Sequence, residues 1–88
     1  MNDRASALSF PCPFPIKAMG RAEPGFQARV EAIVRAHVPE LSRHAVRTTY
    51  SAQGNYVSVT ILITAHSREQ LDAIYRDLTA CEQVLVAL

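Results

Sequence analysis

The side chains best suited to metal chemistry are two cysteines and three histidines, namely Cys12, Cys81, His37, His44 and His66. Thiolate sulfur and imidazole nitrogen are the ligands that zinc and similar ions prefer. In the topology derived below, Cys12 and the three histidines map to one end of the domain, which raises a metal site as a hypothesis. Their spacing matches no metal-binding motif, and histidines at the ends of elements commonly act as capping or solvated groups. We therefore predict no resident metal and no other cofactor.

The cysteines also bear on the compartment. The first and last predicted strands are antiparallel, which places Cys12 and Cys81 at opposite ends, beyond the Cα separation of about 4.4–6.8 Å that a disulfide needs. Two cysteines are too few for a disulfide-stapled secreted scaffold. The chain contains no membrane-length apolar run and no recognisable signal peptide. These features predict a cytoplasmic protein with no membrane partner.

Arg21 and Asn55 form a second candidate for chemistry. Acylphosphatase-like enzymes, which share the fold predicted below, use an arginine in the first loop and an asparagine on the third strand. Arg21 and Asn55 are expected at the same end of the sheet. However, Glu23 lies beside this position, and the loop is not the glycine-rich cradle that binds phosphate. A small acylphosphatase-like enzyme remains an alternative, and a solvated arginine with a turn asparagine is favoured.

Single-strand RNA binding is another alternative, using Tyr56 with Lys17 and Arg47. RNA-binding domains of this fold stack bases on aromatic residues of the third strand. Alignment on the glycine of their motif places Asn55 and Val57, neither of them aromatic, at the two stacking positions. The formal net charge of +1, from nine basic and eight acidic residues, provides no strong field for a polyanion. We therefore predict no nucleic-acid partner.

The length and composition indicate one folded domain. The chain has 88 residues, of which 49% are hydrophobic and 19% are charged, which is ordinary for a globular domain. Residues 1–12 show no periodicity, and prolines keep the chain extended near Pro11. We predict a flexible tail over residues 1–12 and a single domain over residues 13–88.

Hydrophobic periodicity predicts the first strand and helix. Residues 14–19 alternate and predict a strand that stops at Gly20. Pro24 suits the first turn of a helix, which Pro39 terminates. One apolar stripe of this helix comprises Phe26, Val30, Ile33, Val34 and His37.

The strongest pattern is a hairpin. Residues 44–53 and 56–65 are strand-like and flank Gly54 and Asn55, which predict a two-residue loop that sets Thr49 opposite Thr60. One side of the hairpin is a core face: Val46, Thr48, Tyr50, Val57, Val59, Ile61 and Ile63.

The remaining segments complete the fold. Ser67 and Gln70 predict a capping box at the start of a second helix, with Leu71, Ile74, Tyr75 and Leu78 on its apolar stripe. Residues 84–88 form a last strand. The resulting order, βαββαβ, predicts an α+β, ferredoxin-like sandwich whose four-stranded antiparallel sheet has the order 4-1-3-2, with two helices on one face.

The uncovered face of this sheet holds the candidate ligand or interface residues. They are Lys17, Met19, Arg47, Thr49, Tyr56, Ser58, Thr60 and Leu62, together with Ser51. The face mixes cations, hydroxyls and apolar groups, and antiparallel sheets often leave one such side solvated. No catalytic residue is predicted.

Several segments also point to a family. They are residues 10–17 (FPCPFPIK), Met19 with Gly20, residues 54–60 (GNYVSVT), Gln70 and Leu71 with Tyr75 and Leu78, and residues 84–88 (VLVAL). Together they resemble the YbeD-like family of small bacterial proteins of unknown function. The resemblance implies a ferredoxin-like fold similar to ACT-type regulatory domains, and it implies no catalytic residues.

These observations predict a non-catalytic binding or regulatory module that contacts a protein partner or senses a small carboxylate metabolite. We also predict a homodimer that uses either the open face or the uncharged terminal edge at residues 84–88. Arg47 and the hydroxyls of the second strand are expected to protect the opposite edge better.

Overall fold

The computed structural model describes residues 8–88. Its elements are strand β1 (Cys12–Arg21), helix α1 (Phe26–Arg35), a 3-10 turn (Arg43–Ala45), strands β2 (Val46–Tyr50) and β3 (Tyr56–Ala65), helix α2 (Arg68–Ala80) and strand β4 (Val86–Ala87). The sheet is antiparallel throughout, with the order β2-β3-β1-β4. The predicted ferredoxin-like topology and strand order are confirmed. No helix in the described part of the chain is long and apolar enough to cross a membrane.

The core lies between the two helices and one face of the sheet. In β3 the side chains of Val57, Val59, Ile61 and Ile63 are buried, whereas Leu62, within the same run, is 52% exposed. This alternation follows from the two-residue period of a strand. The largest fully buried side chains are Ile16, Ile61, Ile74, Leu78, Val30, Val34 and Val59.

The helix ends differ in part from the predicted ones. Gly25 precedes α1 with φ 87°, and this left-handed residue separates Pro24 from the helix, so the placement of Pro24 in the first turn was wrong. The α-helix ends at Arg35, before His37. The start of α2 was predicted correctly, and the Ser67 hydroxyl accepts from the Gln70 N–H at 3.0 Å. The return bond of the predicted capping box differs: the Gln70 side-chain oxygen accepts from the His66 N–H at 2.7 Å rather than from the Ser67 N–H.

The hairpin loop is longer than predicted. The Ser51 N–H donates to the Tyr56 carbonyl, and the Gly54 N–H donates back to the Ser51 carbonyl, each at 2.9 Å. Gly54 then turns the chain with φ 77°. Thr49 pairs with Ser58 rather than Thr60, so the predicted register was wrong by two residues. Because strand side chains alternate with a period of two, this shift leaves every residue on its predicted face.

The outer strands also differ from the sequence prediction. β1 extends from Cys12 to Arg21 and passes through Gly20 rather than stopping there. Phe10 and Cys12 pack against the core, so the chain contacts the domain from Phe10 onward. Residues 1–7 lie outside the described residues, and a flexible tail stays a prediction. β4 is limited to Val86–Ala87.

Tyr50 was predicted as a core residue, and this was wrong. Its side chain is 62% exposed although it points to the helical side of the sheet. β2 is the edge strand, and at its last residue the sheet extends past the cover that α1 provides. Tyr50 therefore lies over a groove beside α1.

Candidate functional site

The eight predicted site residues lie on the open face, in rows set by the strand register. One row runs Arg47, Thr60, Lys17 across β2, β3 and β1, and Leu88 continues it beside β4. The next row runs Thr49, Ser58, Met19, Val86. Tyr56 and Leu62 lie on the same face of β3, one before and one after the two rows, and both are exposed.

Thr60 lies between two cations. Directly paired residues on one face of an antiparallel sheet have Cβ atoms about 4.5–5.5 Å apart. Lys17 and Arg47 are the cross-strand partners of Thr60 on its two sides, and all three line the same depression. A depression of about 780 Å³ covers this row. It is lined by Pro15, Lys17, His44, Ala45, Val46, Arg47, Thr49, Thr60, Leu62 and Leu88.

The acidic groups are separated from this row. Among the described residues, every Asp and Glu side chain belongs to a helix or to a loop next to one: Glu23, Glu31, Glu40, Glu69, Asp72, Asp77 and Glu82. Within residues 8–88, the Glu31 carboxylate pairs with the Arg35 guanidinium at 3.6 Å, and the Asp77 carboxylate makes a hydrogen bond with His37 Nε2 at 2.6 Å. Neither involves Lys17 or Arg47. Lys17 and Arg47 therefore have no Asp or Glu partner among the described side chains.

The four possible metal ligands at one end of the domain, Cys12, His37, His44 and His66, are not brought together. His37 Nε2 contacts the Asp77 carboxylate oxygen at 2.6 Å. Within residues 8–88, no three His, Cys, Asp or Glu side chains lie together in a way that would hold a metal ion. Cys12 and Cys81 are both free thiols and are half-buried.

Arg21 and Asn55 do lie together, as the sequence predicted. Both line a small pocket of about 450 Å³ at the β3 end of the hairpin loop, and the Asn55 carbonyl accepts from the Ala22 N–H at 2.9 Å. Glu23 lines the same pocket and places a carboxylate beside any bound phosphate, which opposes binding through like charge. For RNA, Val57 is 5% exposed and faces the core, so it offers no stacking surface.

Comparison with known proteins identifies the family. A family model described as "Protein of unknown function (DUF493)" matches residues 5–88. The chain belongs to this family. A DUF493-type relative, the UPF0250 protein of Neisseria gonorrhoeae (strain NCCP11945), is 43% identical over 87 residues, covering 99% of this chain and 96% of the relative. The UPF0250 protein of Paraburkholderia phytofirmans is 45% identical over 83 residues, covering 94% and 93%.

Solved structures support the fold of this DUF493 chain. The solution structure of protein HP0495 from H. pylori aligns with a TM-score of 0.70 at 9% identity, covering 100% of this chain and 94% of that one. The C-terminal domain of the MgtC protein from Mycobacterium tuberculosis aligns with a TM-score of 0.61 at 15% identity, covering 93% and 89%. The resemblance to the YbeD-like family is confirmed, and the names of the relatives above indicate no enzymatic activity.

Two groups beside the predicted site were not found from the sequence. Leu88 lies opposite Lys17 and exchanges backbone hydrogen bonds with it at 2.8 and 3.0 Å. His44, in the 3-10 turn, lines the depression near Arg47. The alternation of the last strand provided a signal for Leu88, whereas the position of His44 depends on a turn that periodicity does not reveal.

Tyr75 connects the site to the helical layer. Its hydroxyl donates to the Leu88 carbonyl at 2.6 Å, the same carbonyl that accepts from Lys17 N–H. Burial raises the pKa of the Tyr75 phenol above its ordinary value of 10.0 because the phenolate loses solvation.

This raised pKa predicts a loss of stability at alkaline pH. The Tyr75 contribution is fully present below the unfolded pKa of 10.0 and is lost as pH rises through the higher folded pKa, because the unfolded chain releases this proton first. Urea unfolding of wild type and Tyr75→Phe, followed as a function of pH, measures it. Tyr75→Phe should lack this alkaline loss of stability, and Tyr56→Phe, a control at an exposed position, should retain it. Equal pH dependence in wild type and Tyr75→Phe would contradict the assignment.

Proposed function

We propose that this DUF493 chain is a non-catalytic binding module whose open sheet face recognises an acidic segment of a partner protein. The observation that supports the proposal most is the row Arg47, Thr60, Lys17 on an exposed face, where no described Asp or Glu side chain pairs with either cation. A carboxylate above Thr60 would accept charge-assisted hydrogen bonds from both cations, and such bonds are roughly twice as strong as neutral ones.

The apolar groups around the row favour a protein over a small molecule. Tyr56, Leu62, Val86 and Leu88 are 49%, 52%, 42% and 63% exposed, and all project from the open face. Contiguous exposed apolar surface rimmed by polar groups marks interaction sites, and aromatic residues, Met and Arg are enriched in interfaces. Small-molecule sites, in contrast, are concave and enclose most of their ligand. The depression over Thr60 is open to solvent on one side, so a small ligand bound there would stay partly exposed.

The chemistry of the face supports binding rather than catalysis. A catalytic hydroxyl needs a neighbouring base within hydrogen-bond reach. In the described structure the hydroxyls of Ser58 and Thr60 make no hydrogen bond to a histidine or a carboxylate. The place of Thr60 between Lys17 and Arg47 suits its hydroxyl to donate to a bound anion.

The proposal is tested by NMR titration of labelled protein with a peptide of alternating Glu and Leu. We expect shifts at the amides of Lys17, Arg47 and Thr60, with an affinity that falls as salt rises because the contacts are ionic. Lys17→Glu should weaken the affinity by tenfold or more. Arg29→Glu, a charge reversal on an exposed position of α1, is the matched control and should bind like wild type.

Parallel titrations separate the alternatives. A small dicarboxylate such as glutarate, inorganic phosphate and a single-stranded oligoribonucleotide are each added to the same protein. Saturable glutarate binding at Lys17 with no response to the peptide would favour a metabolite sensor. Phosphate shifts centred on Arg21 and Asn55 would favour the acylphosphatase-like alternative. Peptide binding that is unchanged in Lys17→Glu would exclude the proposed face.

A further inference from the structure

The two edges of the sheet differ in the backbone groups that they leave unpaired. Lys17 exchanges backbone hydrogen bonds with Leu88, so the odd-numbered residues of β1 direct their N–H and C=O groups toward the β4 side. β4 covers only a short part of that side. Beyond it the odd-numbered positions are Pro13 and Pro15, and proline has no N–H to offer. A short edge strand and two prolines protect this edge against another strand.

β2 forms the less protected edge, contrary to the expectation from the sequence. The Ser51 N–H donates to the Tyr56 carbonyl, so the odd-numbered residues of β2 point toward β3 and the even-numbered ones point outward. The Val46 N–H is taken by the Arg43 carbonyl. Within residues 8–88, the Val46 carbonyl and both backbone groups of Thr48 and Tyr50 have no backbone partner.

We infer that β2 pairs with β2 of a second copy of this chain, antiparallel about a two-fold axis at Thr48. In this register Thr48 exchanges two N–H to C=O bonds with Thr48 of the second copy. Each Tyr50 N–H donates to the Val46 carbonyl of the other chain. The contact is symmetric and closes on itself, as two-fold contacts do. It joins two four-stranded sheets into one continuous sheet.

The side chains select this register. The axis at Thr48 places Arg47 opposite Thr49 of the second copy, whereas an axis at Arg47 would place two guanidinium groups opposite each other, which is unfavourable. An axis at Thr49 would leave Val46 without a strand partner. At Thr48, Tyr50 lies opposite Val46 of the second copy, and aromatic with β-branched pairs stabilise sheets. Tyr50, which is 62% exposed, is thereby covered.

The groove beside Tyr50 provides room for the second copy. It has a volume of about 890 Å³, and the side of it formed by α1 carries Ala28, Ala32 and Ala36 together with Gln27, Glu31 and Arg35. In the joined sheet the two open faces lie side by side, with the two Arg47 side chains near the axis. The dimer does not depend on what the open face binds, so its failure would leave the proposed function untouched.

Cysteine cross-linking tests the register. In a Cys12→Ser, Cys81→Ser background, Thr48→Cys should form a disulfide-linked dimer on mild oxidation, because hydrogen-bonded pairs have Cα atoms about 5.5 Å apart, within disulfide range. Thr49→Cys is the matched control and should stay monomeric on a non-reducing gel, because its counterpart is displaced diagonally by two residues. Cross-linking of Thr49→Cys as fast as Thr48→Cys would overturn the register.

Sedimentation across a concentration series tests the dimer itself. Wild type should be dimeric at high micromolar concentration, and Thr48→Lys should raise the dissociation constant at least tenfold because two ammonium groups meet at the axis. Leu85→Lys, at the other edge, should dissociate no more than wild type. A monomeric wild type, or dissociation of Leu85→Lys alone, would overturn the inference. Far-UV circular dichroism verifies that each variant is folded.

Discussion

Replacing Ile61 by alanine is expected to lower the free energy of unfolding by about 2–5 kcal/mol. Ile61 is fully buried at 0% exposure, and its truncation removes apolar contacts and leaves a cavity between the sheet and the helices. A domain of this length has a total stability of about 4–13 kcal/mol, so the variant should lose a large share of it. Urea unfolding followed by circular dichroism measures the change.

The matched control is the neighbouring residue. Leu62→Ala changes a side chain that is 52% exposed on the open face, and it should alter stability by no more than about 0.5 kcal/mol, as surface substitutions usually do. Two adjacent apolar residues of one strand should therefore differ several-fold in effect. Equal losses at both positions would mean that the open face is covered, and a small loss at Ile61 would contradict the assignment of the core.

The sequence was sufficient to assign residues to the two faces of the sheet, because apolar β-branched residues occupy every second position of the central strand. Val57, Val59, Ile61 and Ile63 define the core side of β3, and the opposite side follows without knowledge of the partner strands. This is why all the open-face residues were placed correctly although the hairpin register was wrong. Tyr50 lies on the same face as these residues. It was wrongly predicted to be buried because its exposure depends on where α1 lies.

The register and the element ends depended on interactions that periodicity does not report. The longer hairpin loop is closed by the Ser51 side chain, which accepts from the Tyr56 N–H at 3.1 Å, and by the positive φ of Gly54. Both residues were visible in the sequence, yet Gly54 followed by Asn55 also fits a two-residue loop. Local turn preferences were ambiguous, and the side-chain contact decided between them.

In the candidate site too, periodicity predicted the face of each residue but not its neighbours on the adjacent strands. Lys17 and Arg47 were found because the alternation of side chains along a strand places them on the open face. Their alignment on either side of Thr60 required the pairing of β1, β3 and β2, and the corrected register created it, since the predicted one placed Arg47 opposite Leu62. The separation of carboxylates from this face, in contrast, can be read from the sequence, because the predicted strand segments contain no Asp or Glu.

Gly20 is a position where the sequence analysis did not identify why glycine is required. The sequence predicted it as a strand stop, but it is a buried residue within β1. Its backbone has no positive φ, unlike Gly25 and Gly54. A Cβ at Gly20 would collide with the Phe26 ring and the backbone carbonyl of Gln83. The glycine is thus required by space, because the start of α1 and the segment before β4 both close onto β1 at this position.

Gly20→Ala is therefore expected to lower the free energy of unfolding by about 1–3 kcal/mol or more, the usual cost of overpacking. The Phe26 ring can rotate only into a filled core, and the Gln83 carbonyl can yield only by displacing the segment that leads to β4. Displacement of the segment that leads to β4 should speed hydrogen exchange at the Leu85 and Leu88 amides, which donate to the Met19 and Lys17 carbonyls. Gly54→Ala, whose added Cβ meets nothing within 4 Å, should cost about 1–2 kcal/mol through backbone strain without selectively affecting those amides.

In Gly20→Ala/Phe26→Leu the two losses should be less than additive, because the smaller side chain relieves part of the collision. Normal exchange at Leu85 and Leu88 in Gly20→Ala, together with wild-type stability, would show that the space around Gly20 is not closed.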